Sequence, residues 1–183
     1  MTRTRLAGIP ALLALLALTF FSPACDNCDN CCIRFSSATL PAPGAVACVE
    51  GAGATCELLA VDLIISDIDD IFTAEFTILF DPAIANYEGA SSEGSILGSD
   101  GTQLTMLANE QPGEITILIS RLGAAFGGID AVGEQFLARL YFSKVADSGS
   151  TTLFFGTARL FSSQFPPEII PDIEWSGGTL LIR

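Results

Sequence analysis

The 183-residue chain contains no histidine. Without an imidazole there is no Ser-His-Asp or Cys-His arrangement, and the commonest transition-metal ligand is missing. Basic residues are scarce as well: 8 Lys and Arg stand against 21 Asp and Glu, for a net charge of −13 at pH 7. No basic patch can be assembled from so few cations, which excludes nucleic acid as a partner. An anionic membrane surface repels the chain for the same reason, so any tie to a membrane must run through a lipid. The acidity serves solubility, and it also suits divalent cations or a basic partner surface. Aromatic residues with a polar handle are few: one Trp (Trp175) and two Tyr (Tyr87 and Tyr141). A flat aromatic row for gripping a polysaccharide is hard to build from three such side chains, and they serve equally well as caps on the ends of a core. No stretch carries a sustained 3.6-residue period; at most one helical turn fits near Pro82 to Asn86.

The amino-terminal segment reads as an export signal rather than as part of the fold. Arg3 and Arg5 precede an apolar run from Leu12 to Phe21 that is too short to span a bilayer. Ser22-Pro23-Ala24 places small residues at the −3 and −1 positions of a cleavage site, and Cys25 follows. A small residue followed by cysteine at this point resembles a bacterial lipobox, which implies lipidation of Cys25; the plainer reading is a secreted chain that begins there. The expected location is therefore the bacterial cell envelope or the extracellular space.

The six cysteines, Cys25, Cys28, Cys31, Cys32, Cys48 and Cys56, all lie in the first third of the chain. In an exported protein they favour disulfides. Cys48 and Cys56 flank a Gly-rich segment and could close a small loop, a bridge worth on the order of 2–3 kcal/mol in the chain-entropy description. Cys28, Cys31 and Cys32 have spacing that suits either disulfides or a soft-metal site. Residues 25–56 read as a Cys-rich tether, and residues 57–183 as the folded domain.

Beyond Glu57 the chain reads as strand after strand. Leu58 to Ile65 is largely apolar with a central Asp62, and Ser66 to Asp70 is an acidic turn. Thr73 to Phe80 alternates with Ala74, Phe76, Ile78 and Phe80 on one face, and Asp81-Pro82 stops it. Glu114 to Arg121 alternates with Ile115, Ile117 and Ile119 on one side. Along Gln135 to Phe142, Phe136, Ala138, Leu140 and Phe142 are expected inward, with Leu137, Arg139 and Tyr141 outward. Thr151 to Phe161 and Gly177 to Ile182 complete a count of eight or nine strands, the pattern of an all-β sandwich. Asp67, Asp69 and Asp70 read either as a solvated turn or as oxygen ligands for calcium. No pair of carboxylates stands out for glycosidic chemistry, so a binding module is expected rather than an enzyme.

These segments together resemble the cohesin family, the receptor modules of bacterial cellulosome scaffolds. The resemblance rests on Val61-Asp62-Leu63, then Phe76-Thr77-Ile78-Leu79-Phe80-Asp81-Pro82, then Gly113 to Ile117. It continues through Leu137-Ala138-Arg139-Leu140-Tyr141-Phe142 and ends at Gly177 to Ile182. It implies a nine-stranded jelly-roll sandwich that binds a dockerin-bearing protein on a sheet face; the outward alternation of Leu137, Arg139 and Tyr141 makes those residues the expected face. Any calcium would then come with the partner. The same superfamily includes carbohydrate-binding modules, so polysaccharide is the alternative ligand.

Overall fold

The computed structural model describes residues 33–52, 55, 57–123 and 127–183. Ten strands form: β1 (Ile33–Ser37), β2 (Ala45–Glu50), β3 (Leu58–Leu79), β4 (Ala85–Ser91), β5 (Leu104–Gln111), β6 (Glu114–Arg121), β7 (Ile129–Lys144), β8 (Gly149–Ser162), β9 (Glu174–Ser176) and β10 (Gly178–Ile182). A single 3-10 turn, Ile96–Gly98, interrupts the loop between β4 and β5. Among the described residues no helix is long and apolar enough to cross a membrane.

The 22-residue strand β3 organises the rest. Along one of its edges β2 pairs with Val61 to Ser66, and β8 then takes over from Ile71 to Leu79. Along the other edge β7 pairs from Leu58 to Ile71, and β6 from Thr73 to Leu79. One layer therefore runs β9-β2-β3-β7-β4, and the second runs β5-β6-β3-β8-β10-β1. The two share β3, and a single apolar core lies between them. Phe76, Ile78, Ile115, Ile117 and Ile119 enter it from the second layer, and Leu63, Ile65, Leu140 and Phe142 from the first. Each such side chain contributes about 1.5–3 kcal/mol by leaving water.

β3 can serve both layers because it is kinked between Asp67 and Asp70. Both residues have positive φ, 48° and 54°, and the register with β7 shifts on either side of Ile68. Aspartate tolerates this left-handed conformation better than β-branched residues do. The carboxylates also hold the bend in place. Asp67 Oδ1 accepts the Gly133 N–H at 2.7 Å, and Asp70 accepts both the N–H and the hydroxyl of Ser163. The Asp70 N–H donates to Asp130 Oδ1 at 2.8 Å. A Cβ at Gly128 would overlap the Asp70 backbone, so the residue just before β7 must be glycine.

Several expectations are corrected by this arrangement. Ser66 to Asp70 is a kink within one strand, not a turn between two. The expected tether contributes β1, paired with β10, and β2, paired with β3 and β9. The sandwich thus begins no later than Ile33, not at residue 57. The stretch from Ala85 to Gln111, in which the sequence marks no strand, carries β4 and β5. In β7 a bulge places Leu63 opposite Ala138 but Ile64 opposite Phe136, leaving Leu137 as the extra residue. Leu137 is consequently fully buried, and Phe136 turns outward.

The loop that follows β4 is tied to the sheet by a buried cation. Arg121, at the end of β6, donates to the Leu97 carbonyl, to Thr102 Oγ1 at 3.2 Å and to Asp100 Oδ2 at 2.6 Å. The hydrogen bond from Arg121, followed by those from Thr102, holds the Asp100 carboxyl well below the usual carboxylate range. Its folded-state pKa lies below its unfolded one, so the contribution is complete above about pH 4 and is lost as pH falls below that range. Stability measured by urea titration is therefore expected to drop below about pH 4, and more shallowly in Asp100→Asn; an identical pH profile in the variant would exclude the contribution.

Tyr87 offers a second test. Its ring packs edge-on against Phe142 with centroids 6.0 Å apart, while its hydroxyl is buried without a hydrogen-bond partner. Burial, with the nearby charge of Glu110, pushes the phenol up to about 12. Removing an unsatisfied buried hydroxyl relieves a desolvation penalty. Tyr87→Phe is expected to leave stability unchanged or raise it by up to about 1 kcal/mol in urea unfolding; a loss of that size would show that the hydroxyl has a partner in solution.

Candidate functional site

Period-two alternation along β3 and β6 builds the outer face of the second layer, while β8 shifts register against β3 between Phe76 and Ile78. Reading across β8, β3, β6 and β5, the pairing aligns Phe161, Thr73, Ser120 and Thr105 in one row and Arg159, Glu75, Leu118 and Leu107 in the next. Below them Thr77, Thr116 and Asn109 align, then Phe154, Leu79, Glu114 and Gln111. Hydroxyl pairs tie β3 to β6 across this face: Thr73 to Ser120 at 2.7 Å and Thr77 to Thr116 at 3.0 Å. Between them lies aliphatic and aromatic surface. Leu107 is 62% exposed and Phe154 51% exposed. Beyond β8 a bridge from Phe161 to Ile169 widens the face by one exposed apolar residue.

No Trp or Tyr stands on this face. Trp175 packs against Phe155 and Phe76, with centroids 5.0 and 6.1 Å away, at one end of the core. Tyr87 lies with Phe142 and Phe80 in a second aromatic cluster. Four strands at about 4.8 Å spacing and seven residues at about 3.4 Å give a footprint of roughly 20 Å by 20 Å. That is about half of the ~800 Å² per partner in a standard protein interface, so rim residues such as Ile169 must take part in any stable complex.

The residues singled out in the sequence do not gather on this face. Leu137 is buried, which removes it from any surface. Arg139 and Tyr141 lie on the outer side of the first layer. There Arg139 grips Asp62 in a two-pronged ion pair, Nε to Oδ1 at 2.6 Å and the terminal amine to Oδ2 at 2.8 Å. Its guanidinium sits 5.9 Å from the centroid of the Phe136 ring. Phe136, Arg139 and Tyr141 line a depression of about 300 Å³ with Ser91 and Glu93. A second depression of about 600 Å³, running over the loop held by Arg121, shares Ser91 and Glu93 with it.

Two of the three acidic residues of the expected turn, Asp67 and Asp70, are engaged in the kink of β3. Asp67 and Asp70 direct their carboxylates to backbone and hydroxyl donors of neighbouring segments, and among the described residues no group of three or more acids or cysteines is placed to hold a metal ion. Cys48 is a free, buried thiol whose pKa burial pushes up to about 12. Cys25, Cys28, Cys31, Cys32 and Cys56 lie outside the described residues. Sequence reasoning missed the β5–β6–β3–β8 face because β5 shows no clean alternation. The cross-strand threonines were the available signal.

No protein-family model matches the sequence, and no curated protein matches it. Solved structures do. A non-cellulosomal cohesin from the archaeon Archaeoglobus fulgidus superposes with a TM-score of 0.51 at 14% identity, covering 80% of this chain and 88% of its own. The second type II cohesin module of the ScaA scaffoldin of Acetivibrio cellulolyticus gives 0.55 at 14% identity, with 80% and 87% covered. A type I cohesin–dockerin complex from Clostridium thermocellum gives 0.52 at 14% identity, with 74% and 85% covered. At such identities the likeness resides in the arrangement of strands, and on that arrangement the chain has the cohesin fold.

Proposed function

We propose that this chain is an exported, lipid-anchored binding module that docks a dockerin-bearing protein on the outer face of β5, β6, β3 and β8. The observation that carries the proposal is the face itself: uncovered among the described residues, built of hydroxyls and apolar groups with a few charges, and with Leu107 and Phe154 as protruding apolar anchors. Interfaces draw most of their affinity from a few such anchors surrounded by groups that exclude water. A polysaccharide ligand on the same face would lack the Trp and Tyr stacking surfaces that it needs. Cohesins of similar fold occur in complexes with dockerins, which supports the choice of partner. Nothing in this reading calls for catalysis.

Affinity capture on the immobilised full chain, with calcium and then with chelator, tests the docking face. A retained protein carrying a dockerin-type repeat is expected, released by chelator and bound at least about tenfold more weakly by Leu107→Asp and Phe154→Asp. Retention of no such protein, or equal retention by both variants, would overturn the proposal.

The anchor is tested separately. Ala24-Cys25 supplies the small residue and the thiol that lipid attachment requires, and the acidic domain has no other means of holding an anionic membrane. In a bacterial host Cys25→Ser is expected to move the protein from the membrane fraction to the soluble one and to abolish incorporation of labelled fatty acid; unchanged fractionation would exclude the lipid.

A further inference from the structure

The joined depressions beside β4 lie on the other side of β5 from the docking face, lined there by Leu104 and Met106, and their chemistry differs from it. We propose that they form a binding groove for a short neutral oligosaccharide. At one end Phe136 and Tyr141 offer ring surface to the apolar C–H face of a sugar. Along the groove Ser91 and Ser99 offer hydroxyls, and Glu93 an exposed carboxylate acceptor. Ser91 Oγ already accepts the Glu93 N–H at 3.1 Å, which leaves its own proton free to donate.

The charge pattern selects against anions. Arg139 is the only cation lining the groove, and Asp62 neutralises it through two hydrogen bonds. Glu93 is left as the uncompensated charge, so an anionic ligand is repelled. A ligand that is uncharged, rich in hydroxyls and apolar on one face answers all three features. The volumes of about 300 and 600 Å³ fall in the range of ordinary ligand sites. The wall formed by residues 92–103 is pre-set by the Arg121 hydrogen bonds and by the 3-10 turn capped by Ser95, which limits the ordering cost of binding.

The test is an NMR titration of the 15N-labelled full chain with cellotetraose, xylotetraose and maltotetraose in turn, at millimolar concentrations. At least one is expected to shift amides within residues 91–102 and 136–141. Phe136→Ala is expected to weaken binding roughly three- to tenfold, the value of one aromatic contact. Glu93→Gln, on an exposed side chain that the fold does not need, is expected to weaken it as well. Leu107→Asp, on the docking face, is expected to leave it unchanged, so loss of protein docking and loss of sugar binding are separable. Absence of shifts with all three sugars, shifts mapping elsewhere, or equal affinity in Phe136→Ala and Glu93→Gln would each overturn the proposal.

Discussion

The kink in β3 is the constraint on which the rest of the molecule depends. A strand of 22 residues that ran straight could belong to only one sheet. Bent at Asp67 and Asp70, it hands its two edges from β2 and β7 to β8 and β6, and one strand becomes the shared wall of a sandwich. The bend places two acidic residues in a backbone conformation that most side chains avoid. Hydrogen bonds from Gly133 and Ser163 to their carboxylates offset that cost. Acidity that looks like a metal site in the sequence is here an element of backbone geometry.

With the layers set in this way, the two outer surfaces acquire different characters. The second layer keeps strict alternation through β3 and β6, so threonines and serines meet there in cross-strand pairs, and its register shifts are confined to the β3–β8 seam. The first layer is interrupted by bulges in β7 and β4, so its exterior is uneven and holds pockets between side chains. An uncovered face suits another protein, and a pocketed edge suits a small ligand. One core thereby carries two outer surfaces of different character.

Much of this was legible in the chain. The strand Glu114 to Arg121 was marked by Ile115, Ile117 and Ile119, and all three are buried. The stop at Asp81-Pro82 falls where β3 ends, and the caution over Trp175 and Tyr87 as end-caps of the core agrees with their ring contacts. The errors have a common physical origin. Leu137 was placed outward because period-two counting assumes an unbroken ladder, and one extra residue reverses every later position relative to the earlier ones. β1 and β2 were missed because Cys, Ser and Pro around them obscure short runs whose partners lie far along the chain, β10 for one and β3 for the other. β5 was missed because its pattern, LTMLANEQ, reads as a strand only once β6 lies beside it.

The sequence by itself determined the class of the fold, all-β by its alternation, and the absence of any imidazole chemistry. These follow from local periodicity and composition, which any single segment displays. Only the tertiary structure decided which faces are free and which residues share them. Arg139 needed Asp62, 77 positions away, to become a neutralised clamp, and Asp70 needed Ser163 to hold a bend. Such pairings depend on bulges, on register and on contacts between distant segments, and period counting along one strand carries no information about them.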